Sequence, residues 1–268
     1  MGKKITKVGD ASGTNASSSQ HHFVPTGESK GKATRLRVIA CILWLLAISA
    51  QVVAISLLFK QPINMTWVIV LIVLDLICAV VGSVLWKKSN RLDPASEENK
   101  FMFFMQNQLG LVVAIIAFLP LIIVILTNKN LDTKQKGILG GIAGVALLIA
   151  GVTGVDFNPP SVEQYTEQTA RVESLVGKNE VFWTKSGTKY HLESSCHSIN
   201  KDVTTEIFQG TVAKARELKN ITELCKFCEK RQEDSNKTSV LKTMTEDETE
   251  TEEMETELDN ASDNQLQP

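Results

Sequence analysis

The residues in this chain best suited to chemistry are His191, Cys196, Cys225 and Cys228. Their spacing is His-x4-Cys, then 28 residues, then Cys-x2-Cys. Two ligand pairs a few dozen residues apart have the layout of a closed tetrahedral zinc site. A Cys-x2-Cys turn lets two thiolates face one ion, and the second pair arrives from a distant loop. Three soft thiolates and one imidazole suit Zn2+, which needs neither redox chemistry nor an open position to do structural work. Four protein ligands leave no place for a reacting water, so no catalysis at the metal is expected. His197 is an alternative imidazole, although adjacent residues seldom ligate one ion together. The competing reading is two free thiols on a helix and a surface histidine.

The elements that must position these donors are short. The runs VFWTK and TKYHL, joined by Ser186-Gly187, predict a β-hairpin that delivers His191 at the end of its second strand. A β-branched run over 203–207 predicts a third strand. Residues 211–219 predict an amphipathic helix with Val212, Ala215 and Leu218 on one face. About 50 residues is too few for a self-sufficient core, so a metal staple is physically expected. The reading is a small α+β zinc-binding domain over residues 179–232.

The run Trp-Thr-Lys-x-Gly-x-Lys-Tyr-His-x4-Cys, the Ala213-Lys214-Ala215 helix and the closing Cys-x2-Cys resemble the Ada-like metal-binding module. The resemblance covers about residues 180–230, roughly a fifth of the chain. That module is named for bacterial alkylation-response proteins and also occurs as an appendage on other bacterial proteins, including nucleases and membrane proteins. In the alkylation-response proteins all four ligands are cysteines, and the first accepts a methyl group from a DNA phosphotriester. Here His191 stands in that place, and an imidazole cannot serve as the thiolate acceptor. The resemblance therefore implies metal binding by His191, Cys196, Cys225 and Cys228 without alkyl transfer, in a chain of bacterial type.

The rest of the chain is a mosaic that its average composition hides. The net charge is −2 over 268 residues, yet residues 246–268 carry ten acids and no Lys or Arg, leaving the remainder near +8. Residues 1–34 are rich in Gly, Ser, Thr, Asn and Lys, and are expected to be a disordered arm. Four apolar stretches follow, over about 38–59, 67–86, 109–127 and 138–155. Each is long enough to cross a hydrocarbon layer of about 30 Å, which takes roughly 20 helical residues. They predict an all-α transmembrane four-helix domain over 35–157. The aromatic run 101–105 either lies at the interface or extends the third helix. Asn158-Pro159-Pro160 stops the fourth span, and 158–178 reads as a linker with a polar helix that holds the zinc domain off the membrane. Residues 233–268 are expected to be a disordered acidic tail.

Lys30, Lys32, Arg35 and Arg37 precede the first span, and Lys87, Lys88, Arg91 and Lys100 fill the second loop. Lys129, Lys134 and Lys136 in the third loop vote the other way. The positive-inside rule nevertheless places the N-terminus and the C-terminal domain in the cytoplasm of a multi-pass cell-membrane protein. A reducing compartment favours zinc over a disulfide. Asp75 is the one charged residue deep in a span. Gln51 falls at a similar depth in the first span, so a hydrogen bond between the two helices is expected. The fourth span overlaps Gly137-x3-Gly141 with Gly140-x3-Gly144, a pattern that packs helices closely, within the chain or in a homo-oligomer.

Three functions fit these features. The first is a non-enzymatic integral membrane protein, embedded in the bilayer, that presents a structural zinc module to a protein partner. The chain has no nucleophile–base pair, phosphate loop or carboxylate cluster in a folded segment. The second is nucleic-acid contact through the module's lysines, with Trp183 and Phe227 as stacking faces; its interleaved glutamates argue against it. The third is small-solute or ion transport resting on Asp75.

Overall fold

The computed structural model describes residues 3–9 and 23–239. The disorder expected for residues 10–22 and for the acidic tail beyond 239 lies outside them. The chain divides into two compact units: one holds 9–168 with 216–220, and the other holds 1–8, 169–215 and 221 onward.

The first unit is built on four helices, α1 (Gly27–Leu58), α2 (Met65–Leu92), α3 (Lys100–Thr127) and α4 (Thr133–Gly154). All four are long and apolar enough to cross a membrane. Each starts on a residue whose side chain accepts a hydrogen bond from the first turn: Thr26, Asn64, Asn99 and Asp132. Asp132 and Gln135 complete a capping box. α1 begins inside the arm expected to be disordered. The reason is local: Thr26 caps the turn, Lys32 pairs with Glu28 at 2.6 Å, and extending an already nucleated helix adds one bond per residue. The run 101–105 extends α3 rather than lying apart from it.

Alanines recur through the interior of this bundle, between larger apolar side chains. Ala33, Ala40, Ala47, Ala54, Ala79, Ala114, Ala117, Ala143 and Ala150 are all buried, with Phe118, Leu121, Ile125 and Leu139 among them. Apolar burial does not drive helices together in lipid, so close van der Waals contact must do so. Two glycines make the tightest approaches. A Cβ on Gly154 would lie 2.6 Å from the Gly110 carbonyl carbon, and one on Gly82 would lie 2.5 Å from Nε1 of Trp44. This revises the reading of the Gly-rich span. A Cβ on Gly137, Gly141 or Gly144 would meet nothing within 4 Å, whereas one on Gly140 would sit 3.6 Å from Leu126 of α3, so only Gly140 of this pattern packs closely on a neighbouring helix. Small-xxx-small spacing permits close packing but does not say which face receives it.

The second unit is α+β. Helix α5 (Val162–Val176) runs through the predicted linker and ends where Gly177 takes φ 74°, in the left-handed region. Val172 and Leu175 are buried in the core of the second unit, and Tyr165 is buried in the first. Strands β2 (Val181–Thr184), β3 (Lys189–Tyr190), β4 (Glu206–Gly210) and β5 (Glu223–Leu224) follow, with helix α6 (Val212–Lys219) between β4 and β5. A last helix, α7, covers 226–239. Its second half corrects the expectation that disorder begins at 233. Asn236 donates to the Leu175 carbonyl at 3.1 Å, and Arg171 pairs with both Glu229 and Glu233.

The third strand falls at 206–210 rather than 203–207; Val203 is exposed in a turn closed by Thr204 N–H on the Lys201 carbonyl. β4 is the centre of a three-stranded sheet, antiparallel to β2 on one side. On the other side lies a parallel strand, β1 (Lys4–Lys7), from the N-terminal arm. That pairing is the second correction to the disordered arm. Lys-Ile-Thr-Lys has too little apolar pattern to announce a strand, and its partner is about 200 residues away.

Candidate metal centre

Backbone pairing assembles the donors. Phe182 and His191 exchange two hydrogen bonds, at 2.8 and 2.7 Å, which close the predicted hairpin around a turn at Gly187. β3 then leaves β2 and pairs in parallel with β5, with Tyr190 beside Leu224. The next residue on each strand is a donor: His191 on one, Cys225 on the other. Cys225 N–H donates to the Tyr190 carbonyl at 2.9 Å and locks this register. Cys196 sits in a turn whose carbonyl accepts from both Ile199 and Asn200. Cys225 immediately precedes α7, and Cys228 lies in its first turn.

The result is a group of four. One donor atom from each of His191, Cys196, Cys225 and Cys228 lies within 4.8 Å of every other, and all four residues are buried. Nδ1 of His191 is 3.7 Å from Sγ of Cys228. A tetrahedral ion with metal–sulfur bonds of about 2.3 Å and metal–nitrogen bonds of about 2.0 Å needs a separation close to that. The donor set fits a structural metal on chemistry as well as distance. His197 is not in the group. Its ring is exposed and meets Phe227 edge-on, with centroids 4.8 Å apart.

The electrostatics suit metal binding. Burial, assisted by the neighbouring His197, pushes His191 down to about 4, so the imidazole is neutral and ready to donate. Burial pushes the Cys228 thiol up to about 12, although the Leu192 backbone N–H opposes the shift. Burial acts on Cys225 in the same sense, but backbone N–H groups of Cys228 and Phe227 point at its sulfur and leave it below the usual thiol value. Cys225 thus occupies the place of a helix N-cap, where amide donors and the helix dipole favour an anion. The sequence showed the Cys-x2-Cys spacing but not that it opens a helix, nor the Leu192 amide.

The intramembrane pair differs from expectation. Gln51 and Asp75 are both buried, at 5% and 1% exposure. No hydrogen bond joins them, and neither Asp75 carboxylate oxygen has a partner among the described residues. Depth counting sets a level along a helix, but a short Asp side chain also needs the right azimuth to reach across. Polar satisfaction occurs elsewhere in the bundle. Asn90 Nδ2 donates to the Gln106 carbonyl at 3.0 Å and to Asn107 Oδ1 at 3.2 Å, and Trp86 Nε1 donates to the same Gln106 carbonyl at 2.7 Å. Sequence reasoning missed this group because Asn and Gln near a span end look like ordinary interfacial residues.

No protein-family model matches this chain, and neither does any curated protein or solved structure.

Proposed function

We propose that this is an integral membrane protein with four transmembrane helices that carries a structural zinc site in a cytoplasmic module and uses that module to bind a partner. The observation that carries the reading is the buried group of His191, Cys196, Cys225 and Cys228, its donor atoms mutually within 4.8 Å. Three thiolates and an imidazole favour Zn2+ over harder cations. The absence of an open coordination position favours a structural over a catalytic role. The resemblance of residues 180–230 to Ada-like modules supports the same ligand set, with His191 in the position that would otherwise hold a methyl-accepting cysteine. Lys30, Lys32, Arg35 and Arg37 in the first turns of α1, Lys87, Lys88 and Arg91 at the end of α2 and Lys100 at the start of α3 support a cytoplasmic N-terminus and C-terminal unit. The pairing of β1 with β4 agrees with both ends lying on one side. The open glycine stripe of α4 is then free for a second copy of the chain.

The test is elemental analysis of the full chain purified in detergent. One zinc per chain is expected, reduced to background by Cys225→Ser or Cys228→Ser and retained by His197→Ala. A wild-type chain without bound metal under reducing conditions would overturn the site. A second reading, solute or ion transport, draws on the unpartnered carboxylate of Asp75. An Asp75→Asn chain that matches wild type in a proteoliposome flux assay would remove it.

A further inference from the structure

Beside the donor group, within the second unit, lies a groove of about 370 Å³ lined by Cys196, His197, Phe227, Lys230, Arg231 and Asp234. Its floor is aromatic: Phe227 is 66% exposed and held edge-on by the His197 ring. Its rim is cationic. Lys230 in the lining, and Lys226 one turn before it on α7, have no ion pair among the described residues. Arg231 pairs with Glu193 at 2.8 Å, but both side chains are about half exposed, and such a pair is readily exchanged. Asp234 is the one acid in the lining. The α7 acids Glu229 and Glu233 are already engaged by Arg171. The surface fits an acidic peptide that carries an apolar side chain among its acids.

The chain contains such a peptide. Residues 246–258 hold eight acids, no basic residue, and the apolar Met254 and Leu258. Its distance along the chain is right. Helix α7 runs from Lys230 to residue 239 over about 13 Å at 1.5 Å per residue. From 239 to Glu252, thirteen residues reach up to about 43 Å when extended, ample to double back. We propose that the acidic segment 246–258 docks in this groove, with Met254 against Phe227 and His197 and the flanking glutamates on Lys226, Lys230 and Arg231. The segment then occupies the module's binding surface until a partner displaces it.

Photocrosslinking in the full-length chain tests this, with benzoyl-phenylalanine in place of Phe227 in reconstituted nanodiscs. Products within 246–258 are expected, formed within single chains when light and heavy isotope-labelled chains are mixed. Raising salt from about 0.05 to about 0.5 M shortens the screening length and should cut their yield about five-fold. Lys226→Glu combined with Lys230→Glu should do the same. Metal content, read on every variant, confirms that the unit is intact, and the salt series needs no variant. Products outside 246–258, or a yield indifferent to both salt and charge reversal, would overturn the proposal. So would mixed-isotope products, which would assign the groove to a second copy, or cross-links to nucleic acid.

Discussion

The two units solve the packing problem in opposite ways. The helical bundle sets alanine and glycine between its larger apolar side chains, so that backbones touch at Gly110 and Gly154. The α+β unit is built around large side chains, with Trp183 stacked on Phe208 at 6.2 Å and buried with Ile207 and Ile221. Its strands have only two to five residues. A bundle in lipid gains from contact, and small residues shorten every contact. A small domain in water gains from buried apolar area, has too little of it, and needs a further constraint. A metal held by the donor group would supply that constraint for one unit, whereas helix contact holds the other.

Cys225→Ser or Cys228→Ser should melt the α+β unit, because a structural zinc contributes on the order of 10 kcal/mol to folding. The bundle should keep its helicity and its own thermal transition. Circular dichroism paired with proteolysis of the full chain reads both. If both units melted together, they would not be independently stabilised.

Acid should act on the same unit alone. Each thiol must lose a proton to bind the metal, and free thiols titrate near about 8.5, so between two and three protons leave per ion near neutral pH. Metal affinity should therefore fall by roughly two to three orders of magnitude per pH unit on acidification. A competition titration with a chromophoric chelator measures the slope. His191 adds a smaller effect in the metal-free chain. Its folded value of about 4 lies below the unfolded value, so the unfolded chain binds more protons between roughly pH 6.5 and 4, and stability falls as pH drops through that window.

The bundle should respond to changes at its glycines. Gly154→Leu drives a side chain into the Gly110 backbone and should cost the bundle about 1–3 kcal/mol or more, with metal content unchanged. Denaturation in mixed micelles would show it. Gly141→Ala, in open space, should change stability by less than about 0.5 kcal/mol. If Gly141→Ile instead lowers self-association in a detergent-dilution assay, the open stripe is a contact between chains. An unchanged result would leave it facing lipid.

Legibility differed between these features for physical reasons. The spans could be read because apolar length along one helix is a local property, and the observed helices differ from the reading mainly at their ends, where caps at Thr26 and Asn99 start them early. The donors could be read because ligand chemistry restricts both residue type and spacing. The Gly110–Gly154 contact was missed because neither glycine belongs to a repeated motif, while Gly137, Gly141 and Gly144 of the conspicuous α4 pattern turned out to be open. Strand β1 was missed because four polar-rich residues carry no periodicity, and only pairing with β4 makes them a strand.

By itself, then, the sequence determined the number and rough limits of the apolar helices, the ligand types, and the hairpin that carries His191. Tertiary structure decided which imidazole joins the group, since only the β3–β5 register sets His191 beside Cys225 while His197 turns outward. It also decided that Gln51 and Asp75 do not bond, and which face of each helix meets a neighbour. Composition and spacing are properties along one line. Azimuth and long-range register exist only once separate segments pack, and they follow the shape of whatever lies opposite.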